Sequence, residues 1–280
     1  MITLKQVSIL FSLLLLTTAL CPLIIETTSI VTIKDHINPD DNKELIIFDL
    51  DNTCFESAHK HSIGGDQWFT ALMTQGKAAG LPEHEAFAKT LIFWSELQTI
   101  IPVKPVEEHV VTLINSLQQQ QKSIIALTTR STHAIDNTIK HLASIGITFF
   151  KSHPAVEKLN FDHLPIKATY REGILFCGDN QKGRVLKTLL DAMPDKPTKI
   201  IFIDDKKKYL ECVEKTAQEL NIPFVGLRYG HLDQKVKTFS LHHAATDPDA
   251  DHITMMVRKF VDDHHKPLIK QNILLIPQHD

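Results

Sequence analysis

The sequence lacks the cysteine content and the positive charge that are typical of several protein classes. It has only four cysteines in 280 residues, at positions 21, 54, 177 and 212, and no CxxC pair. Such a sparse set is neither a disulfide framework nor a common zinc or thioredoxin-like motif, although one bridge between two of them stays open. The formal net charge is −3, so the basic footprint of a nucleic-acid-binding protein is missing and no nucleic-acid partner is expected.

The bulk composition is that of a globular protein. Hydrophobic residues make up 43% of the chain and charged residues 22%, which is ordinary for a protein that buries a core. A chain of 280 residues is long enough for one large α/β domain with an insertion, or for two small domains.

The first residues indicate export. Lys5 precedes the nearly continuous apolar segment Val7–Leu16, and smaller, more mixed residues follow as far as Cys21. This is the order of a secretory signal, and the apolar run is short for a spanning helix, which needs about 20 residues. We therefore expect residues 1–28 to be a signal peptide and the mature protein to be periplasmic or secreted, without stable membrane insertion. The alternative is an uncleaved N-terminal membrane anchor, since Pro22–Ile25 extends the apolar character.

From Glu44 onward, short apolar runs alternate with segments of helical periodicity. The runs predict strands at residues 45–48, 124–127, 145–150, 200–203 and 224–227, with helices at 106–121, 133–144, 184–193 and 209–220. Strands that alternate with helices predict a three-layer, Rossmann-like α/β fold with a parallel sheet. Ligands bind at the carboxyl ends of the strands in such sheets.

The pattern also divides the chain into segments. We assign residues 29–53 and 102–235 to the α/β core, and residues 54–101 to a small helical cap inserted after the first strand, with helices at 67–79 and 83–97. The segment 153–171 is irregular, with room for a hairpin. Residues 236–280 form a C-terminal extension with one candidate helix around residues 253–261.

Reactive side chains follow the predicted strands. Asp49 and Asp51 come directly after the first strand, where one carboxylate can attack phosphorus and the other can donate and accept protons. The second strand ends in Thr128, Thr129 and Arg130, whose hydroxyl and N–H groups suit a phosphoryl oxygen.

Two further groups complete the set. Lys182 opens a helix, where it can neutralise charge on a carboxylate and on a phosphoryl group. Asp204 and Asp205 end the fourth strand, and an acidic pair with oxygen-only ligands favours magnesium (Mg²⁺). Each signal alone is common in turns and helix caps, but their order along successive strand ends makes the combination specific.

The combination resembles the haloacid dehalogenase superfamily. The matching residues span most of the chain from Glu44 to Leu227, and they are Asp49, Asp51, Thr53, Thr128, Lys182, Asp204 and Asp205. Within that superfamily, the chain resembles a poorly characterised group of exported bacterial proteins. The resemblance lies in the string from Ile63 to Phe69 and in the pair Lys182-Gly183.

The resemblance implies a role for each matching residue. Asp49 would be the nucleophile and a magnesium ligand, and Asp51 would be the general acid/base and bind the metal through its backbone carbonyl. Thr128 would bind the phosphoryl group, Lys182 would steady the nucleophile, and Asp204 and Asp205 would bind the metal. The presence of Asp51 favours phosphate ester hydrolysis, because a leaving oxygen needs a proton.

The expected function is magnesium-dependent hydrolysis of a small phosphomonoester through an aspartyl phosphate. Two rivals stay open: a phosphotransferase of the same family, and an exported effector or binding protein that acts through a host or other protein partner. Near the mouth of the site, Asp66, Thr129 and Arg130 are candidate substrate contacts, with Arg130 a candidate clamp for a second anionic group. Cys54 beside the nucleophile is expected to be an apolar filler.

Overall fold

The computed structural model describes residues 23–151, 156 and 159–272. In this part of the chain the strands are β1 (Leu23–Thr27), β2 (Leu45–Phe48), β3 (Phe55–Ser57), β4 (Val103–Pro105), β5 (Ser123–Thr128), β6 (Thr169–Arg171), β7 (Ile174–Phe176), β8 (Ile200–Asp204) and β9 (Phe224–Tyr229). The helices are α1 (Asp66–Ala78), α2 (Glu83–Leu97), α3 (His109–Gln119), α4 (Ile135–Ser144), α5 (Lys182–Ala192), α6 (Lys207–Glu219), α7 (Asp233–Lys237), α8 (Leu241–Thr246) and α9 (His252–Asn272). Single 3-10 helices span Ile30–His36 and Thr132–Ala134.

The central sheet confirms the predicted three-layer α/β fold. Its strand order is β1-β9-β8-β2-β5-β7-β6, and every neighbouring pair is parallel except the hairpin of β6 and β7. Alternate residues of β2 point to opposite faces, because the side-chain period of a strand is two. Ile46 and Phe48 join the apolar layer that contains α3, whereas Leu45 and Ile47 join the layer that contains α5 and α6.

The predicted strand at residues 145–150 is wrong. Gly146 has a φ of +79°, which turns the chain inside the apolar run. Ile147 and Phe149 are buried but do not pair with a strand, and the Phe149 ring packs 6.2 Å from the ring of Phe48. The strand beside β5 is instead β7, which pairs with β6 in a hairpin. Only β6 lies at the end of the irregular segment 153–171, and β7 follows that segment.

The N-terminal boundary also needs correction. Residues 1–22, which carry most of the predicted signal, lie outside the described residues. Residues 23–27 were assigned to the same signal, but they form β1 and pair in parallel with β9 over Leu23 to Thr27. Their backbone groups complete the ladder at this side of the sheet, so a signal cleaved after residue 28 would remove a strand. Among the described helices, none combines the length and apolar character needed to cross a bilayer.

The cap is inserted through a short antiparallel ladder. Strand β3 leaves the core and β4 returns to it, and the two strands pair from Phe55–Pro105 to Ser57–Val103. Helices α1 and α2 follow between them, and their apolar faces meet in a separate cluster around Trp68, Phe93 and Leu97. Both helices agree with the predicted ones to within a residue at each end.

The C-terminal extension packs on the cap. Its helix α9 is longer than the predicted residues 253–261. Val257 is buried in the cap cluster, and the ring of Phe260 stacks on Phe93 with 4.0 Å between centroids and 8° between planes. The cap cluster is therefore built from two segments far apart in the sequence.

Polar contacts, among them the Lys60–Asp247 ion pair, join the same two segments, and we call this set the clasp. His59 lies 2.9 Å from Asp251, and His61 lies 2.7 Å from Asp247, which Lys60 also contacts at 2.5 Å. His59 and His61 thus bind the C-terminal extension and not the predicted catalytic site. The backbone N–H of Thr254 lowers the pKa of Asp251 to about 2, and His59 adds to this effect.

The clasp predicts a pH-dependent stability. Because the pKa of Asp251 is lower in the folded protein than its ordinary value of 3.8, its contribution is present above about pH 4 and is lost as the pH falls towards 2. Urea unfolding should give a lower free energy of unfolding for Asp251→Asn than for the wild type at pH 6. At pH 3 this difference in free energy should be smaller. Asp262→Asn, an exposed change on the same helix, should differ little from the wild type at either pH.

Gly183 permits the close packing of α5 on α6. A Cβ atom at this position would lie 2.3 Å from the carbonyl oxygen of Cys212 and 2.6 Å from the hydroxyl of Thr216. We expect Gly183→Ala to lower the free energy of unfolding by about 1–3 kcal/mol, although alanine is the better helix former, because the two helices must separate. Arg184→Ala, on the exposed face next to it, should change the value by less than about 0.5 kcal/mol. Equal unfolding curves for both variants would contradict this account.

Candidate active site

Three strand and helix ends bring the site together. Asp49 follows β2, and its backbone N–H donates to the carbonyl of Ile203 in β8 at 3.0 Å. Lys182 is the first residue of α5 and is fully buried. Its Nζ lies 2.5 Å from Oδ1 of Asp49 and 2.6 Å from Oδ2 of Asp204. One ammonium group therefore bridges the ends of two adjacent parallel strands.

Burial and charge oppose each other at this bridge. Burial, opposed by the charge of Lys182 and supported by that of Asp204, raises the pKa of Asp49 to about 7. Burial alone would lower the pKa of Lys182, but Asp204 and Asp49 outweigh it and hold the pKa above its ordinary value. Lys182 consequently stays positively charged.

The carboxylates of Asp49, Asp204 and Asp205 form a candidate metal centre. One oxygen from each lies within 4.8 Å of the others, and in the described part of the chain no other group of His, Cys, Asp and Glu meets this criterion. Burial raises the pKa of Asp205 well above its ordinary value, and the charges of Asp204 and Asp49 add to this. Three carboxylates face one lysine, so the centre favours a cation, and an oxygen-only donor set suits Mg²⁺.

Asp51 is oriented away from this group by an arginine. Nε and Nη2 of Arg130 donate to the two carboxylate oxygens of Asp51, both at 2.8 Å. Burial raises the pKa of Asp51, but the charge and hydrogen bonds of Arg130 outweigh it and leave the pKa below its ordinary value. The Asp51 side chain is thus absent from the candidate metal centre, and its expected metal contact was through the backbone carbonyl.

Arg130 makes contacts that the sequence did not suggest. It is buried, and besides Asp51 it donates to Thr138 at 3.2 Å and to Gln98 at 3.1 Å. Its guanidinium also lies between two rings, 4.9 Å from the centroid of Phe55 and 5.0 Å from that of Trp94. These residues engage four of its five N–H groups, so Arg130 holds Asp51 in position, and its role as a clamp for a second anionic group stays a prediction.

The remaining predicted contacts border the same site. Thr128 is buried at the end of β5, and its hydroxyl accepts the N–H of Arg130 at 3.2 Å, whereas Thr129 is exposed at the mouth. Asp66 opens cap helix α1 and forms an ion pair with Lys206 of the core. The backbone N–H of Lys206 donates to Asp204 at 2.7 Å, so this pair connects the cap to the carboxylate group.

Cys54 behaves as the expected filler. It is completely buried, and burial raises the pKa of its thiol well above the ordinary value, with Asp49 and Asp51 adding to the effect. Cys177 and Cys212, the other described cysteines, are free as well. No disulfide joins any two of these three.

Sequence reasoning missed three residues of the site. Gln98 and Trp94 reach Arg130 from the end of cap helix α2, more than thirty residues away, and no motif marks them. Tyr209 places its ring 4.6 Å from the Lys182 ammonium. Its position in the first turn of the helix after Asp205 is the one signal that could have identified it.

The Arg130 contacts predict a stability effect that does not depend on any activity. Arg130→Met leaves Asp51, Thr138 and Gln98 without their partner, and we expect the free energy of unfolding to fall by about 2–3 kcal/mol. Arg130→Lys should lose part of this, since lysine cannot form the two parallel hydrogen bonds. Urea unfolding would measure both.

The matched control for Arg130 is Arg171→Met. Arg171 is half exposed and pairs with Asp136 on the surface at 3.2 Å, so its loss should cost less than about 0.5 kcal/mol. Equal losses in Arg130→Met and Arg171→Met would show that the buried contacts add nothing.

Comparison with known proteins finds relatives in two Chlamydia species, a solved structure and a family model. The chain is 32% identical over 217 residues to a protein of Chlamydia trachomatis named "Putative outer membrane protein", covering 75% of this chain and 80% of the relative. It is 31% identical over 206 residues to a protein of the same name from Chlamydia muridarum, covering 74% and 76%. A haloacid dehalogenase-like family hydrolase from Streptococcus pneumoniae is a solved structure with 14% identity and a TM-score of 0.39, covering 65% of this chain and 92% of that one. Residues 26–265 match the family described as "Protein of unknown function (DUF2608)", and the chain belongs to that family.

Proposed function

We propose that the protein is a hydrolase of the haloacid dehalogenase superfamily that cleaves small phosphomonoesters through an aspartyl phosphate. The observation that carries this proposal is the buried Lys182, which holds Asp49 at 2.5 Å and Asp204 at 2.6 Å at the carboxyl ends of β2 and β8. A nucleophile, a cation to neutralise it and a group of oxygen ligands thus occupy the edge of the sheet where ligands bind.

In the first step, an oxygen of the Asp49 carboxylate would attack phosphorus. The new O–P bond forms as the ester P–O bond breaks, and the departing oxygen takes a proton from Asp51. Asp51 would have to take up that proton when the substrate binds, because Arg130 holds its pKa below the ordinary value in this structure. Lys182 would offset the negative charge on Asp49 and on the phosphoryl oxygens. Thr128, at the end of β5, would receive one of these oxygens.

In the second step, water would attack phosphorus and release Asp49. Asp51 takes the proton of this water and so returns to its starting state. Arg130 orients this carboxylate through its two hydrogen bonds of 2.8 Å. Because the same bonds lower the pKa of Asp51, they make it a stronger acid and so favour the first step. The phosphoryl group leaves as inorganic phosphate.

Asp49, Asp204 and Asp205 would hold the magnesium ion, and their oxygen-only donor set fits it. The chemistry that the bound ion supplies is electrostatic screening between the anionic substrate and these carboxylates. Closure of the cap over the site would exclude bulk water, and the Asp66–Lys206 pair would fix the cap in this position.

We also propose that the protein acts outside the cytoplasm. The predicted export segment supports this, and so do relatives whose printed name places them at an outer membrane. The periplasm, the exterior and an N-terminal membrane anchor are the alternatives that localisation experiments would separate.

Phosphate release from a panel of phosphomonoesters tests the proposal. We expect turnover that depends on added Mg²⁺, and a loss of at least about 10³-fold in kcat for Asp49→Asn. Asp204→Asn should raise the magnesium concentration needed for half-maximal rate. Recovery of all phosphoryl groups as inorganic phosphate in the presence of glycerol would distinguish hydrolysis from phosphoryl transfer.

Two controls show whether a lost rate is specific to Asp49 and whether the variant is folded. Asp191→Asn alters an exposed carboxylate on α5 that pairs with Lys187, and it should keep the wild-type rate. Circular dichroism should confirm that Asp49→Asn is folded. Turnover that survives in folded Asp49→Asn would refute the aspartyl-phosphate route.

A further inference from the structure

A cleft of about 380 Å³ lies between the cap and the core. Asp51, Thr129 and Arg130 lie at its core side, next to the proposed catalytic groups. Its volume is within the range of small-molecule sites, which is about 300–1,000 Å³. Most of its wall is apolar, and the apolar side chains are Phe69, Phe87, Leu91, Trp94, Ile166 and the ring of Tyr209.

The cleft borders the proposed site of phosphoryl transfer at Asp51 and Tyr209. The Tyr209 ring that lines it lies 4.6 Å from the ammonium of Lys182, which in turn contacts Asp49. A molecule whose phosphoryl group approaches Asp49 would therefore extend its remaining atoms into this cleft.

The cap side of the cleft is an aromatic wall. Phe69 meets Phe87 edge to face, with ring centroids 5.8 Å apart, and it meets Trp94 in the same way at 6.3 Å. Phe87 on the cap is 36% exposed, and Ile166 on the core is 40% exposed. A flat apolar group between them would remove both side chains from water, which is favourable.

We infer that the substrate is a small phosphomonoester whose phosphoryl group is attached to a flat, aromatic moiety. This inference rests on the proposed function. A sugar phosphate or a glycerol phosphate is expected to bind less well, because its hydroxyl groups would lose water against the aromatic side of the cleft, although polar residues such as Thr70, Ser131 and Asp179 line other parts of it.

A pair of esters with the same kind of leaving oxygen tests the inference. 2-Phenylethyl phosphate and ethyl phosphate both release a primary alcohol, so they differ in the aromatic group and little in intrinsic reactivity. For the full-length protein with Mg²⁺, we expect kcat/KM to be roughly 10- to 100-fold higher for the phenylethyl ester.

Cap variants locate the preference within the cleft. Phe87→Ala should lower the ratio of the two kcat/KM values roughly 3- to 10-fold, mainly through KM for the aromatic ester. Ile92→Ala is the matched control, since Ile92 lies on the same helix, is 64% exposed and does not line the cleft. It should keep the wild-type ratio.

The possible results distinguish a failure of this inference from a failure of the proposed function. Equal kcat/KM for both esters, or equal ratios in the wild type and Phe87→Ala, would overturn the inference and leave the proposed function intact. Absence of turnover for every phosphomonoester would overturn the proposed function and this inference with it.

Discussion

The rest of the structure depends on the buried contact of Lys182 with Asp49 and Asp204. Removing any of these charges from water is costly, and only their mutual attraction makes the arrangement tolerable. The contact fixes the start of α5 against the ends of β2 and β8, and the missing Cβ of Gly183 allows that helix to lie so close to α6. Asp205 lies beside this contact and completes the group of three carboxylates that could hold a metal ion.

The sheet and the reactive strand ends could be predicted because they follow from local patterns. Short apolar runs mark the buried parallel strands β2, β5, β8 and β9, and the acidic or polar residue after each run marks the ligand-binding edge. The strand prediction failed at residues 145–150, because Gly146 turns the chain within this apolar run and Phe149 packs on Phe48. It also failed at β1, whose apolar residues were merged with the signal before them, because composition alone does not separate a signal from a strand.

Long-range contacts explain what the sequence did not predict at the site. Arg130 was expected to face the substrate, and in the structure Asp51 after β2, Thr138 from α4 and Gln98 from the cap engage four of its five N–H groups. Each partner comes from a different element, so no spacing in the sequence predicts these contacts of Arg130. Through Arg130, the end of cap helix α2 touches the residue that orients Asp51, and the position of the cap is thereby coupled to the proposed acid/base.

The stacking of Phe260 on Phe93 has a consequence for biosynthesis. The cap helices are translated early, but residues near the C-terminus complete their apolar cluster. The ribosome releases the chain from its N-terminus, so part of the apolar surface of the cap helices stays exposed until α9 has been synthesised. For a protein destined for export, such a delay would keep the chain open enough to be threaded through a membrane pore, and only the whole polypeptide would acquire its finished lid.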